Sequence, residues 1–434
     1  MSAPPLVCLV TPGHVSSTPR LVKEADALQG AGYRVHVVAG RNFPGADALD
    51  QAVLSAARWE CTRVDSLGAG RLRRGLGRRL WRSLAANSRL RTPAIAARAL
   101  NPMAGRLARA AAHLRADLYI GHCVPGLAAA AAAAARTGSA FGFDAEDFHD
   151  TENDAVLSDA AERGSVAAIQ SGFLRGCVHL TASSPMISRA YAERYGVSPL
   201  TILNVFPRAL APAALAAGAP VSESRPAVAY WFSQTIGPGR GLEESVAALA
   251  RMRTPVELHL RGFPAAGYAG RLQQLASGLG LKRPVVFLPP AAPDEMARLA
   301  SAADIGLSTE GRHPPNRNLC LTNKVFTYLL AGIPQLMSDT DAQRALSADF
   351  GEAALLASLS DPAGTASALD RLMSDPAALA AARRRALSLA FNRYCWEVES
   401  IPFVESVGRA VRRKPAGGQG GDPPAAPKTG AASH

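Results

Sequence analysis

Short apolar runs rich in β-branched residues alternate with amphipathic helical stretches along the first half of the chain. A strand followed by a helix, repeated several times, predicts a parallel sheet with helices on both faces. Gly30 follows the first helical stretch and is a typical helix end. The predicted strands are residues 6–10, 34–39, 117–120 and 140–143, and the predicted helices are residues 20–30 and 126–136.

The same pattern starts again in the second half of the chain. A strand at 227–232 runs into a glycine-rich loop and then into a helix over 242–251. Between the halves, residues 207–226 contain several Ala and Pro and little periodicity, which is typical of a linker. The later predicted strands are residues 256–261, 285–288, 305–307 and 335–337.

We therefore predict an α/β protein of two tandem, doubly wound Rossmann-like domains with the ligand cleft between them. The length of 434 residues agrees with this, since one domain usually has roughly 100–200 residues. The predicted parts are an N-terminal domain over 1–207, a second domain over 208–395, a helix over 396–412 that packs back on the N-terminal domain, and a disordered tail over 413–434.

The composition narrows the classes of protein that this chain can be. Apolar residues make up 48% of it and charged residues 19%, which excludes wholesale disorder and a fibrous repeat. The six cysteines lie far apart, which argues against zinc sites and redox motifs and suits a reducing compartment. The longest apolar stretch, residues 127–135, is shorter than the roughly 18 residues of a membrane span. With no signal-peptide pattern, we expect a cytoplasmic protein.

The net charge of +12 comes from one segment of the chain. Residues 66–116 contain twelve Arg and no Lys, Asp or Glu, which equals the whole positive excess. Four leucines from Leu72 to Leu84 recur every four residues between arginines, a basic amphipathic pattern typical of helices on anionic lipid. An anionic membrane surface or lipid-linked acceptor bound through residues 71–91, a solvated face, and another polyanion are the alternatives. Nucleic acid is not expected, because the segment has one aromatic residue and no recognised motif.

A glycine-rich loop follows the first strand of the second domain. Gly237, Gly239 and Gly241 let the backbone approach a phosphate, and the following helix offers free N–H groups at its N-terminus. Arg240 within the loop supplies a guanidinium for a bidentate contact. The loop lacks the full dinucleotide fingerprint, and an ordinary strand–helix turn is the alternative.

Two charged residues further along the chain form the second candidate. Glu310 comes just after the strand at 305–307, where a carboxylate can accept hydrogen bonds from sugar hydroxyls. Lys324 lies at the start of an apolar helix, where its ammonium group and the helix dipole both favour a phosphate. A charged helix start that binds nothing is the alternative.

The residues around Lys324 carry a resemblance to a known family. Residues 323–334, Asn-Lys-Val-Phe-Thr-Tyr-Leu-Leu-Ala-Gly-Ile-Pro, closely resemble the donor-site helix of retaining GT-B glycosyltransferases of the group 1 type. Residues 11–25 resemble that family's opening strand and loop, 232–242 its diphosphate loop, and 394–397 the start of its closing helix. The resemblance implies a nucleotide-sugar donor, transfer of a hexose with retention of configuration, and no metal or other cofactor. The donor-binding residues that it implies are Gly237, Gly239, Arg240, Gly241, Glu310, Asn323, Lys324 and Thr327.

Three positions depart from the family's pattern. Gln234 stands near the position where the family usually has an Arg at the diphosphate, while Arg240 stands near its Lys. Thr327 replaces a carboxylate that binds the ribose, and a hydroxyl cannot chelate two ribose hydroxyls. Glu146 stands near the position where many relatives place a His beside the donor sugar. Because of these departures, the sequence does not decide which nucleotide base is bound or whether the protein turns over a donor.

The N-terminal half contributes acidic and basic candidates. Glu146 and Asp147, which follow the strand at 140–143, are candidate catalytic residues that orient an acceptor hydroxyl or act as a base. Arg20 and Lys23 lie in the first turn of a predicted helix, where positive charges interact unfavourably with the helix dipole. The alternatives are an anionic ligand bound by these residues and a pair of solvated charges. The residues expected on the acceptor side are His14, Arg20, His122 and His149.

The sequence thus predicts a glycosyltransferase, attached peripherally to the inner face of a membrane, that glycosylates a bacterial surface polysaccharide or a lipid-linked acceptor. Arg240 and Lys324 are its expected catalytic cations, which stabilise the departing diphosphate, and Glu310 holds the sugar. Three rival predictions remain open. They are a nucleotide-sugar epimerase or phosphorylase on the same fold, a non-catalytic binding or scaffold protein, and a polyanion-binding module.

Overall fold

Two parallel sheets, of seven and six strands, form the framework of the protein. The prediction of two doubly wound, Rossmann-like domains is therefore confirmed. The predicted tail beyond residue 413 lies outside the described residues. The computed structural model describes residues 3–66, 71–152, 159–213 and 221–413, with the backbone alone described at 71–76 and 78.

The N-terminal sheet contains β1 (Leu6–Thr11), β2 (Arg34–Arg41), β3 (Glu60–Asp65), β4 (Leu118–His122), β5 (Ala140–Ala145), β6 (His179–Ala182) and β7 (Leu200–Thr201). Its spatial order is β3-β2-β1-β4-β5-β6-β7, and the winding direction reverses between β1 and β4. The helices of this half are α1 (Pro19–Gly30), α2 (Asp47–Ala56), α3 (Arg71–Ala86), α4 (Pro93–Leu100), α5 (Ala104–His113), α6 (Cys123–Thr137), α7 (Ala160–Phe173) and α8 (Pro185–Tyr195).

The second sheet contains β8 (Ala227–Ile236), β9 (Val256–Pro264), β10 (Val286–Leu288), β11 (Ile305–Ser308), β12 (Gln335–Ser338) and β13 (Ala354–Ala357). Its order is β10-β9-β8-β11-β12-β13, with the reversal between β8 and β11. The helices are α9 (Leu242–Leu249), α10 (Tyr268–Gly278), α11 (Met296–Ala300), α12 (Pro315–Leu319), α13 (Asn323–Leu330), α14 (Asp341–Phe350), α15 (Pro362–Met373), α16 (Pro376–Asn392) and α17 (Trp396–Arg412).

The central strands form where the sequence has continuous apolar runs. In β1, the side chains from Val7 to Val10 are completely buried, as expected for a strand covered on both faces. The small alanines of α6 lie almost wholly in the core, which lets this helix pack closely on β1 and β4. All the strands predicted above are present, because their apolar runs are long enough to outweigh the local polar residues.

Four strands of the structure, β3, β6, β7 and β13, were not predicted. They are short or carry many polar residues, and Val64 is the one buried residue of β3. Their position depends on hydrogen bonds to a neighbouring strand, such as the parallel pairing of β3 with β2. A pattern search along one sequence does not detect that kind of support.

The last helix, α17, packs against the N-terminal domain. Glu399 accepts a hydrogen bond from the backbone N–H of Leu203 over 2.7 Å. The rings of Phe403 and His179 lie edge to face, with their centres 5.5 Å apart. The end of the chain therefore returns to the domain in which the chain begins.

Helix α3 continues through the arginine-rich segment despite its two glycines. The side chain of Leu80 is 59% exposed, whereas Arg82 forms an ion pair with Asp159. The guanidinium of Arg98 lies 5.0 Å from the centre of the Trp81 ring. One face of α3 thus contacts the domain and another faces solvent. Among the described residues, no helix combines the length and apolarity needed to cross a membrane.

Candidate functional site

The glycine-rich loop lies at the carboxyl end of β8, beside the reversal of winding in the second sheet. Gly241 precedes α9 with a φ of +69°, a left-handed conformation that glycine adopts without a steric penalty. A Cβ atom on this residue would overlap the carbonyl oxygen of Thr309, just after β11. The loop therefore runs directly against the end of β11, and only glycine fits at this position.

Glu310 and Lys324 form a buried ion pair beside this loop. Lys324 Nζ lies 2.5 Å from Glu310 Oε1 and 5.1 Å from the centre of the Trp231 ring. Burial by itself raises the pKa of Glu310, but Lys324, with Arg317 and Arg240, lowers it below its ordinary value. The pair therefore presents an ionised carboxylate and an ammonium group side by side.

Two guanidinium groups accompany this pair. Arg240 Nη1 donates a hydrogen bond to Ser233 Oγ over 3.3 Å, and Arg317 Nη1, from α12, donates to the carbonyl oxygen of Gly239. Burial lowers the pKa of Arg240, Glu310 opposes this change, and the nearby charge of Arg317 adds to it. Arg317 was not identified from the sequence, because it lies in a Pro- and Asn-rich loop that carries no motif.

The remaining predicted donor residues lie in the glycine loop and at the start of α13. Asn323 is exposed at the first position of the helix, and Gly239 is exposed in the loop. Thr327 is buried, and its Oγ1 donates a hydrogen bond to the carbonyl oxygen of Asn323 over 2.9 Å. The hydroxyl is thus engaged by its own helix here, and a ribose contact from Thr327 stays a prediction.

A buried ionic network lies at the carboxyl ends of β4 and β5. Arg20 donates through Nε and Nη2 to the two oxygens of Asp144 over 2.7 and 2.9 Å. Arg20 Nε lies 3.4 Å from Glu24, and His122 Nε2 lies 3.1 Å from the same carboxylate. Burial lowers the pKa of Arg20, but Asp144 and Glu24 more than reverse this. The alternative of solvated charges is therefore wrong for Arg20, which is completely buried.

Glu146 follows β5 and lies at the edge of this network. Its Oε1 accepts a hydrogen bond from Asn204 Nδ2 over 2.9 Å, and Asn204 Oδ1 accepts one from Lys23 over 2.8 Å. Burial and the negative charge of Asp147 raise the pKa of Glu146 to about 7. Burial and Arg20 lower the pKa of Lys23 to about 7. A carboxyl group with such a pKa can take up or release a proton near neutral pH.

Asp147 connects the two domains. Its Oδ1 accepts a hydrogen bond from Asn316 Nδ2 over 2.8 Å, and the backbone N–H of Phe148 donates to Asn316 Oδ1 over 2.8 Å. Cys320 Sγ lies 3.1 Å from the same carboxylate oxygen. Asp147 thus holds α12 against the N-terminal domain, and its predicted catalytic role stays a prediction.

Two of the predicted acceptor-side histidines make polar contacts within the N-terminal domain. His14 Nδ1 lies 2.7 Å from Asp50, and its Nε2 accepts hydrogen bonds from the backbone N–H groups of residues 42–43. Both ring nitrogens of His14 are therefore used to position the loops after β1 and β2. His149 Nδ1 lies 2.6 Å from Glu152, which raises the pKa of His149 against the opposing effect of burial.

Within the part of the chain that the structure describes, two groups of side chains have the spacing of metal ligands. In the first, Arg41 lies 2.5 Å from Asp47, and in the second Arg20 lies 2.7 Å from Asp144. A guanidinium already neutralises carboxylates in each group, so neither donor set fits a metal ion well. The groups are His14, Asp47 and Asp50, and Glu24, His122 and Asp144.

The structure gathers the predicted residues at the carboxyl ends of the two sheets. The donor candidates surround the ends of β8 and β11, and Glu146 and Asp147 follow β5. Asn204, Asn316 and Arg317 belong to the same region but were missed. The one signal that could have found them is their position in loops that follow strands of each sheet.

The chain is similar over nearly its whole length to solved GT-B glycosyltransferases. HepE from Anabaena, in complex with UDP and glucose, matches with a TM-score of 0.67 and 16% identity over 93% of this chain and 99% of that chain. Sucrose-phosphate synthase from Thermosynechococcus elongatus matches with a TM-score of 0.67 and 15% identity over 93% of this chain and 98% of that chain. A glycosyltransferase from Rickettsia africae matches with a TM-score of 0.65 and 11% identity over 95% of this chain and 100% of that chain. No protein-family model and no curated protein matches the sequence.

At this low identity the similarity concerns the fold. The sheets of seven and six parallel strands correspond to the two Rossmann-like domains of these structures. The donor candidates and Glu146 lie at the ends of strands that this architecture uses for ligands. The protein therefore has the GT-B fold that the resemblance of residues 323–334 implied.

Proposed function

We propose that the protein is a glycosyltransferase that moves a sugar from a nucleoside-diphosphate sugar to an acceptor. The observation that carries this proposal is the buried pair of Glu310 and Lys324 beside the glycine loop and Arg240. It combines a hydrogen-bond acceptor for sugar hydroxyls with cations for a diphosphate. HepE, which has the same fold, has been solved with UDP-glucose, and this supports a nucleotide-sugar donor.

Arg240 and Lys324 stabilise the negative charge that grows on the diphosphate as the glycosidic bond breaks. The ammonium group of Lys324 has three N–H donors, so it can hold Glu310 and a phosphate oxygen at the same time. Its contact with the Trp231 ring and its burial reduce competition from water, which strengthens this electrostatic stabilisation. Glu310, kept ionised by its partner, accepts hydrogen bonds from the donor sugar.

Glu146 orients the acceptor hydroxyl and takes its proton. The acceptor oxygen forms a bond to the anomeric carbon, the bond from that carbon to the phosphate oxygen breaks, and the proton moves to Glu146. The hydrogen bond from Asn204 orients this carboxyl group, and its pKa of about 7 suits proton transfer at neutral pH. We propose a hexosyl transfer that retains configuration through displacement on one face of the sugar, without a metal ion.

The proposed acceptor is a bacterial surface polysaccharide or a lipid-linked molecule, and the proposed site of action is the cytoplasmic face of a membrane. The exposed side of α3, with Arg79 and Leu80, supports this part of the proposal. Each Arg near an anionic surface contributes on the order of 1 kcal/mol, so a few of them give reversible attachment. No nucleic-acid partner is proposed.

A thermal-shift screen tests the donor site. UDP, GDP, ADP and dTDP are added to the wild type and to Arg240→Ala, with the corresponding nucleosides as controls. We expect one diphosphate at a hundred times its Kd to stabilise the wild type by about 2.7 kcal/mol, or roughly 5–10 °C in Tm. Arg240→Ala should lose most of that shift. A wild type that none of the four diphosphates stabilises would refute the proposal.

A further inference from the structure

We propose that Arg317, on the short helix α12, binds the diphosphate of the donor and supplies a positive charge that the glycine loop lacks. This inference rests on the proposed function, since it concerns the same donor site. The loop from residue 233 to residue 241 contains one cation, Arg240, while Gln234 is neutral. A nucleoside diphosphate carries at least two negative charges near neutral pH, so a single loop cation leaves it incompletely neutralised.

The charges around the site show where the second cation comes from. Lys324 is already paired with Glu310 at 2.5 Å, so its charge is largely compensated before any ligand arrives. Arg312, on the same loop as α12, lies 3.4 Å from both Asp339 and Asp341. Within the described ranges, by contrast, Arg317 has no carboxylate within ion-pair distance.

The position of Arg317 places this charge on the glycine loop itself. Its Nη1 donates to the carbonyl oxygen of Gly239, and its charge acts on both Arg240 and Glu310, since it contributes to the lowered pKa of each. The charge of Glu310 reaches both guanidinium groups, but this carboxylate is already paired with Lys324, so a net repulsion between Arg240 and Arg317 remains. A phosphate group between them removes that repulsion and accepts their hydrogen bonds.

The helix that carries Arg317 is fixed from two sides. Asn316 is 5% exposed and is held by Asp147 and by the backbone N–H of Phe148. Asn318 accepts a hydrogen bond from the backbone N–H of Asp341 over 3.0 Å and donates to its carboxylate over 2.7 Å. The guanidinium therefore reaches the loop from a preorganised support, which lowers the entropic cost of binding an anion.

The ligand chemistry follows from this arrangement. A guanidinium binds phosphate oxygens in a planar, bidentate manner and offers nothing specific to a nucleobase. Arg317 is therefore expected to discriminate by phosphate number rather than by base. Its loss should weaken a nucleoside diphosphate strongly, a monophosphate less, and a nucleoside hardly at all.

Calorimetric titration of the full chain with UDP, GDP, ADP and dTDP, and with their monophosphates, tests this inference. For each diphosphate that the wild type binds, Arg317→Gln should raise the Kd by roughly 10- to 100-fold, the range expected for one charged hydrogen-bonding group. Arg317→Lys keeps the charge and should lose less affinity. Arg312→Ala, a change on the same loop whose carboxylate partners lie outside the site, should leave the Kd within about twofold.

The outcomes separate the inference from the proposed function. If the wild type binds no diphosphate, the donor-site proposal fails and the inference fails with it. If the wild type binds and Arg317→Gln binds equally well, only the inference is overturned. The unliganded Tm of each variant reports folding. Should Arg317→Gln be unfolded, Arg317→Lys decides, because a higher Kd for the diphosphate with an unchanged Kd for the nucleoside supports the guanidinium contact, and an unchanged diphosphate Kd overturns it.

Discussion

The two sheets have related topologies, but the points at which their winding reverses differ in charge. At the N-terminal reversal, Arg20 is completely buried and bonded to Asp144, next to Glu24 and His122. At the second reversal, the cations outnumber the carboxylates among the described residues, because Glu310 is the partner of Lys324 while Arg240 lies in the glycine loop and Arg317 donates to it. The first region is neutralised internally, and the second retains positive charge.

This difference indicates that the first region mainly stabilises the fold and that the second mainly binds ligand. A closed ionic network fixes the ends of β4 and β5 and supports Glu146 at its edge. An excess of positive charge at the end of β8 suits an anionic ligand that arrives from solution. Stability should therefore depend on the first region and ligand affinity on the second.

The largest effect is expected for Arg20→Ala, which leaves Asp144 and Glu24 buried without their cation. Breaking a buried ion pair in this way costs about 3–5 kcal/mol, a large part of the stability of a domain. Urea denaturation should show that loss in the free energy of unfolding. Arg298→Ala, which removes an exposed ion pair with Glu295, is the control and should change it by less than about 1 kcal/mol. If Arg20→Ala and Arg298→Ala lost the same free energy of unfolding, the ionic network of the first region would not have the stabilising role assigned to it.

Gly241→Ala should affect ligand binding in the second region more than folding. The new Cβ requires a left-handed φ, which costs about 1–2 kcal/mol, and it overlaps the carbonyl oxygen of Thr309. The loop must move, and we expect the diphosphate-induced thermal shift to disappear. Gly270→Ala, in α10 with open space around it, should keep that shift and gain up to about 1 kcal/mol. A normal ligand shift in Gly241→Ala would show that the loop does not bind phosphate.

The contribution of Glu146, in the first region, to the free energy of unfolding should depend on pH. We expect this effect to be smaller than those of the two substitutions above. Its pKa rises from an ordinary 4.5 to about 7 in the folded protein, through burial and through Asp147. Because the folded state holds this proton more tightly, the stabilisation is fully present below pH 4.5 and is lost as the pH rises through about 7. Glu146→Gln should therefore be more stable than the wild type at pH 8 and equally stable at pH 4.

Activity should follow the same titration with the opposite sign. The base form of Glu146 is populated above its pKa, so kcat/KM should rise with pH, reach half of its maximum near pH 7 and level off at higher pH. Glu146→Gln should lose roughly 100-fold or more in rate and show no such rise. A wild-type profile that is flat from pH 5 to pH 8 would remove Glu146 from the mechanism.

The sequence was sufficient for the fold, and it named most of the residues that the proposed donor site uses. Strands such as β1 and β8 are long apolar runs, and residues 323–334 carry a specific resemblance, so Glu310 and Lys324 could be placed beside the glycine loop. These features are local in the chain. They depend on the periodicity of apolar residues and on glycines where two backbone segments lie close together. Both can be recognised in the sequence without knowing which residues contact each other in the fold.

The parts that the sequence did not reveal depend on contacts between distant residues. Arg20 reaches Asp144 across 124 positions, and Asn316 reaches Asp147 across 169. Neither Asn204 nor Arg317 has a sequence signal of its own, since each acts through a partner supplied by another element. The burial of Arg20 in particular depends on three carboxylate and imidazole groups that only the folded sheet assembles.

The central claim, that the cationic region at the end of β8 supports transfer from a nucleotide sugar, is tested most directly by release of nucleoside diphosphate. Wild type and Arg240→Ala are incubated with UDP-, GDP-, ADP- and dTDP-sugars and a lipid-linked or polysaccharide acceptor. We predict release by the wild type with at least one donor, and a rate lower by roughly 100-fold in Arg240→Ala, as for other groups that stabilise developing negative charge. Release by Arg240→Ala at the wild-type rate would contradict the account.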